Sequence, residues 1–191
     1  HRYGRRQRQM CIRDRQQCLE EIENITLGLH AKGITGKKTI AILGNNTPRW
    51  TLAEVAVQSL GSIPLGIYSD ALESEIIYLI DYSSCRVVFV EDEEQADKIM
   101  SLSDSKGKID LIVYDEPKGM NKYDDKRLIS YKNLLKTGNE FKKNNTNFFN
   151  KLLENINEED TCIFCPTSGT TDNPKLAMIS HKALLNHAKS Y

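Results

Sequence analysis

Nine consecutive residues, Thr167-Ser168-Gly169-Thr170-Thr171-Asp172-Asn173-Pro174-Lys175, bring together four hydroxyls, a glycine and an ammonium. Hydroxyl donors, loop backbone N–H groups and a cation together suit a ligand on which negative charge is dense, and a nucleotide triphosphate is the natural one. The competing interpretation is a polar turn between strands, because Ser, Thr, Asn, Asp and Pro are ordinary turn residues. Lys175 and the apolar run Thr161-Cys162-Ile163-Phe164-Cys165 just before the loop favour phosphate binding. The G-x-x-x-x-G-K-S/T loop is a near miss: Gly169 and Lys175 have its separation, but Pro174 replaces the second Gly and Leu176 the magnesium-binding hydroxyl.

Two other constellations carry less. Cys162-x-x-Cys165, fifteen intervening residues and His181-x5-His187 fall at the outer edge of zinc spacing. Cysteines three apart on a strand point to opposite faces, and the intervening residues are the phosphate-loop sequence, so zinc is the weaker reading. A redox role for the same pair fails because such pairs belong at a helix N-terminus. Ser180 suits an N-cap for a helix over 182–190, with His181 as a capping or packing residue at its start. Trp50 and Tyr82 are expected to pack, and His30 carries no signal.

The elements that must position the loop alternate along the chain. Cys18, Ile22, Ile25 and Leu29 recur at helical spacing over Gln16–Ala31, with the helix ending near Gly33. Thr39–Gly44 reads as a buried strand. Pro48 opens a helix through Val55, Val57 and Leu60 to Gly61, capped by Asn46 or Thr47. Strand Ile63–Tyr68, helix Leu72–Ser83, strand Arg86–Glu91, helix Glu93–Leu102 and strand Ile109–Asp115 follow. Apolar strands without period-two alternation, separated by helices, predict an α/β fold with a mostly parallel, doubly wound sheet. Residues 116–150 are polar, with a short helix over Ser130–Leu135 and a linker at Lys142–Asn147; Phe148–Ile156 regains a helical pattern.

The 191 residues are 39% hydrophobic and 27% charged, an ordinary globular composition. Lys plus Arg and Asp plus Glu are both 26, so net charge gives no reason to expect nucleic acid as a partner. The first fifteen residues hold six Arg against one Asp, which leaves the remainder at −5. Residues 1–15 are therefore set apart as a basic leader, similar to a translated adapter remnant, with a basic arm for anionic lipid or nucleic acid as the alternative. Five cysteines scattered over such a chain suit reduced thiols, and with no secretory leader or membrane span in the sequence a cytoplasmic location is expected. His1 and the helical pattern running to Tyr191 suggest cut ends, which makes 16–191 the expected domain and the chain a fragment.

Thr167 through Lys175, followed by Ala177-Met178-Ile179-Ser180-His181, resembles the T-S-G-T-T-G-x-P-K-G … A-x-x-S-H signature of the adenylate-forming acyl-CoA synthetase superfamily. Gly28-Leu29, Gly33-Ile34, Ile40-Ala41-Ile42-Leu43, Asn45-Asn46-Thr47-Pro48-Arg49-Trp50 and Gly61-Ser62-Ile63-Pro64-Leu65-Gly66-Ile67-Tyr68 resemble its N-terminal region. Leu79-Ile80-Asp81-Tyr82-Ser83, Val88-Phe89-Val90-Glu91-Asp92, Val113-Tyr114-Asp115 and Tyr123-Asp124-Asp125 are similar to bacterial long-chain fatty acid–CoA ligases. The resemblance spans about residues 16–191. It implies a partial AMP-binding N-terminal domain from an enzyme that activates a fatty acid with ATP and Mg2+ to an acyl-adenylate and transfers it to coenzyme A. Thr167, Ser168, Thr170 and Thr171 would donate hydroxyls to phosphate, Gly169 would allow close backbone approach, and Lys175 would offset charge. Asp172 and Leu176 stand where the family has Gly, so the alternative is a degenerate, non-catalytic module that has lost nucleotide binding. The family's Y-G-x-T-E glutamate and C-terminal lysine have no counterpart in these residues, so no turnover is expected from the chain alone and no catalytic residue is assigned. A lipid substrate is compatible with peripheral membrane contact, which no segment displays.

Overall fold

The computed structural model describes residues 14–103, 109–167 and 174–190. Helix α1 (Arg15–Ala31) starts at a reciprocal cap: Asp14 Oδ1 accepts from the Gln17 N–H at 2.8 Å and the Asp14 N–H donates to Gln17 Oε1 at 3.2 Å. Then follow β1 (Thr39–Leu43), α2 (Pro48–Ser59), β2 (Ile63–Ile67), α3 (Glu73–Tyr82), β3 (Val87–Val90), α4 (Glu93–Ser103) and β4 (Leu111–Tyr114). The chain continues through β5 (Leu128–Ser130), α5 (Tyr131–Asn144), α6 (Phe148–Glu154), β6 (Thr161–Thr167), β7 (Lys175–Ser180) and α7 (His181–Lys189).

The seven strands form one sheet in the order β5-β4-β3-β1-β2-β6-β7. Every neighbouring pair is parallel except β6 and β7, which are antiparallel. The sheet is doubly wound, as the alternation of apolar runs and helices requires. Successive strand residues point to opposite faces, so Ala41, Leu43, Val88 and Val90 pack with Ile76, Leu79, Ala96 and Ile99 of α3 and α4. Ile40, Ile42, Val87 and Phe89 pack with Ile25 and Leu29 of α1, Ala56 and Val57 of α2, and Leu134 of α5. With helices on both faces, strands such as Val87–Val90 are buried at every position, which is why they show no polar alternation.

Two expectations are corrected. The helix expected over Ser130–Leu135 runs from Tyr131 to Asn144 and takes in half of the segment Lys142–Asn147 read as a linker. Gly138 breaks its apolar pattern, and the break is a packing device. A Cβ at Gly138 would lie 1.8 Å from the Asn24 carbonyl oxygen, and one at Gly28 would lie 2.5 Å from the Leu134 oxygen, so α1 and α5 cross almost backbone to backbone. Lys142 Nζ meets Glu23 Oε2 at 2.7 Å, and the Tyr131 hydroxyl donates to Glu21 Oε1 at 2.8 Å, on the same seam. The polar stretch 116–150 also contains β5, a three-residue strand too short for a periodic signal. Helix α2 runs through Val55, which is exposed, and Val57, which is buried.

Candidate functional site

Strand β6 lies beside β2 in parallel, with Leu65 opposite Phe164, so it delivers its carboxyl end to the same edge of the sheet as β1 and β2. There the chain turns back antiparallel: Thr167 stands opposite Lys175, Pro166 opposite Leu176 and Cys165 opposite Ala177. The Thr167 hydroxyl donates to the Lys175 carbonyl oxygen at 3.2 Å and closes the neck of the turn. Of the residues assigned to phosphate, Thr167 and Lys175 are thus held together, both exposed. Ser168, Gly169, Thr170 and Thr171 lie outside the described residues, as does Asp172. The Lys175 ammonium has no ion-pair partner among the described residues.

Beneath this neck, the carboxyl ends of β1, β2 and β6 enclose a groove of about 180 Å3 lined by Asn46, Trp50, Gly66, Tyr68, Phe164 and Pro166. Trp50 fills space that Gly66 leaves: a Cβ there would lie 2.9 Å from Trp50 Cζ2. Tyr68, at the end of β2, is 75% exposed. Neither Asn46 nor Tyr68 was singled out as a site residue. Their one signal was position, immediately after an apolar strand on the edge where doubly wound folds bind ligands.

The usual ligand crevice of such a sheet is the point where successive connections leave in opposite directions, here between β1, which leads to β2, and β3, which leads to β4 on the other side. This chain fills it with its own side chains. Glu91 accepts from both the N–H and the side-chain amide of Asn45 at 2.8 Å each. Arg49 pairs with Asp115 and lies 5.1 Å above the Tyr131 ring. Burial raises the Asp115 carboxyl above its ordinary range, with Glu116 and Glu91 adding to the rise and Arg49 opposing it. The remaining space is about 30 Å3, room for roughly one water. A wider groove of about 610 Å3 opens beside Arg49 and Asp115, and the β6–β7 neck carries the candidate site through the residues it holds.

Cys162 is buried and Cys165 half-buried, and burial pushes both thiols up from their usual range, away from the thiolate. Among the described residues, no three His, Cys, Asp or Glu side chains are grouped to hold a metal. Ser180 caps α7, its hydroxyl accepting from the Ala183 N–H at 3.2 Å, and the His181 N–H donates to the Asp160 carbonyl at 3.1 Å. Among the described residues, no helix is long and apolar enough to cross a membrane.

The model of the AMP-binding enzyme family matches residues 15–191, and the chain belongs to that family. It is 26% identical over 160 residues to the long-chain-fatty-acid–CoA ligase ACSBG1 of Rattus norvegicus, covering 82% of this chain and 21% of that protein. Over 178 residues it is 23% identical to the chloroplastic long-chain-fatty-acid–acyl-carrier-protein ligase AEE15 of Arabidopsis thaliana, covering 89% and 24%. Fatty acyl-CoA synthetase A of Dictyostelium discoideum is 26% identical over 189 residues, covering 96% and 26%. The chain thus spans about a quarter or less of these relatives. Among solved structures, the anthranilate CoA ligase AuaEII in complex with anthranoyl-AMP has the same fold at a TM-score of 0.72 and 19% identity, covering 91% of this chain and 31% of that one.

Proposed function

We propose that this chain is the phosphate-binding portion of an AMP-forming fatty acid–CoA ligase. In such an enzyme ATP supplies an activated α-phosphorus, the fatty acid carboxylate displaces pyrophosphate, and the acyl group then passes to the thiol of coenzyme A. The observation that carries the reading is the Thr167–Lys175 neck, set at the carboxyl edge of the sheet with a Lys175 ammonium that pairs with no carboxylate among the described residues. Its antiparallel strands fix where the residues between them leave and rejoin the sheet. Lys175 supplies compensating charge for the β- and γ-phosphates. Ser168, Thr170 and Thr171 supply hydroxyl donors, Gly169 allows close backbone approach, and Thr167 anchors the neck. Mg2+ would enter with the phosphates, and no side chain among the described residues is assigned to it.

Calorimetric titration with Mg-ATP and with Mg-pyrophosphate tests the reading. The chain is expected to bind both, and Lys175→Ala to weaken binding about tenfold or more, the scale of one charge-assisted contact. Absence of binding, or binding indifferent to Lys175, would sink it. Coverage of about a quarter of the relatives' length supports a second expectation: the 191-residue chain alone gives no acyl-dependent ATP–pyrophosphate exchange. Robust exchange would refute that part.

Asp172 and Leu176, at positions where the family signature has Gly, favour a second reading: a non-catalytic module in which nucleotide binding has lapsed. A carboxylate beside a triphosphate is repulsive, so Asp172→Gly is expected to tighten Mg-ATP binding several-fold if the loop is a phosphate site. If neither chain binds, the second reading stands.

A further inference from the structure

Three rings meet where α1, α5 and α6 come together. The His30 ring, in the last turn of α1, lies 5.4 Å from the Phe141 ring of α5 and 4.5 Å from the Phe148 ring of α6, and the two Phe rings are 5.4 Å apart. Helix α6 has seven residues, of which Phe149 is buried and Leu152 packs against the core, so the ring cluster is one of few contacts that hold it. His30 Nδ1 is buried and has no hydrogen-bond partner among the described residues. A neutral imidazole accommodates this by carrying its proton on Nε2. A second proton has to go on Nδ1, where it meets no acceptor, and a buried, unpaired N–H on a charged ring costs more than an unpaired neutral nitrogen.

The charges around this junction offer no relief. Lys32 follows His30 on α1, Lys142 and Lys143 follow Phe141 on α5, and Lys151 stands one turn on from Phe148 on α6. The carboxylates of the same elements are engaged elsewhere, Glu23 with Lys142 at 2.7 Å and Glu140 with Lys136 at 4.0 Å, while Glu154 lies at the far end of α6. The C-terminal end of α1 favours a cation, but burial outweighs it and holds the His30 imidazole below its ordinary pKa of 6.5. We infer that His30 is an acid-sensitive latch for α6: the neutral ring closes the cluster with Phe141 and Phe148, and its protonation releases α6 from α1 and α5. Release ends at Asp160, whose carbonyl accepts from the His181 N–H and whose carboxylate pairs with Lys37, so β6 keeps its start while the chain from Asn145 to Asn157 loosens. With α6 open, His30 takes up a proton that the docked form resists, so opening is favoured as pH falls through 6.5.

Native-state hydrogen exchange of the full chain at pH 7.5 and 5.5, corrected for the intrinsic pH dependence of exchange, tests the inference. The amides of α6 are expected to lose protection several-fold at pH 5.5, with about tenfold as the ceiling for one group of ordinary histidine pKa, while β1 and β3 keep theirs. His30→Phe, which keeps a ring in the cluster and takes no proton, is expected to show no such loss. An NMR titration of the wild-type His30 ring is expected to place its midpoint below 6.5, a readout that needs no variant to fold. Unchanged protection of α6, an equal loss in β1 and β3, a loss that persists in His30→Phe, or a midpoint at or above 6.5 would each overturn the inference.

Discussion

At the scale of single residues, the Cys85 thiol accepts from the Ala41 N–H at 3.3 Å and donates to the Val87 carbonyl at 3.1 Å, between two central strands. Burial pushes its pKa from 9.0 up to about 11, against the pull of both backbone bonds. The folded chain therefore keeps this proton where the unfolded chain has lost it, so stability falls as pH rises through the window from 9.0 to about 11. Between pH 8.5 and 11, denaturant unfolding is expected to show a loss about 2–3 kcal/mol smaller in Cys85→Ala than in the wild type. Equal alkaline slopes would contradict this assignment. Thiol labelling at neutral pH is expected to spare Cys85 until the chain unfolds. None of this was legible from residue type: Cys85 was one of five scattered cysteines, and only burial beside β1 and β3 gives it a titration of its own. Thr167 and Lys175 were legible, because a strand followed by hydroxyls, glycine and lysine is a local pattern. That the Thr167 hydroxyl closes the neck on the Lys175 carbonyl was not.

At the scale of elements, the seam between α1 and α5 is the least local feature of the fold. Gly28 and Gly138 stand more than a hundred positions apart, and each lies where a side chain would meet the other helix's backbone. Gly138→Ala adds intrinsic helix stability of up to about 1 kcal/mol, but forces a Cβ into the Asn24 carbonyl. Overpacking of this kind costs about 1–3 kcal/mol or more, and the clash is expected to win. Urea unfolding should show net destabilisation of about 1–2 kcal/mol; a stabilised variant would mean the helices separate freely. Helices α1, α2 and α3 and strands β1 to β4 were legible because burial on one or both faces writes a period into the sequence. Helix α5 was read short because its tightest contact is made by a glycine, which a hydrophobic period counts as a gap. Strand β5, with three residues, has no period to read.

At the scale of the whole molecule, residues 1–13 hold five Arg and no acidic residue, whereas α1 is capped within itself by Asp14 and Gln17. Deleting residues 1–13 is expected to leave the melting temperature unchanged while sharply weakening retention on a cation exchanger. A lowered melting temperature would show that the leader belongs to the fold. The sequence by itself determined the class of sheet, the winding of helices on both faces and the place of the hydroxyl-rich segment 167–175 directly after a buried strand, since each follows from short-range periodicity or from adjacent residue types. Only the tertiary structure decided that Arg49, Asp115, Glu91 and Asn45 meet at the switch point, that α1 and α5 meet at two glycines, and that β6 lies beside β2 with β7 antiparallel to it. The physical reason is common to all three: each depends on the order of the strands and the approach of segments far apart in the chain, and no local period records either.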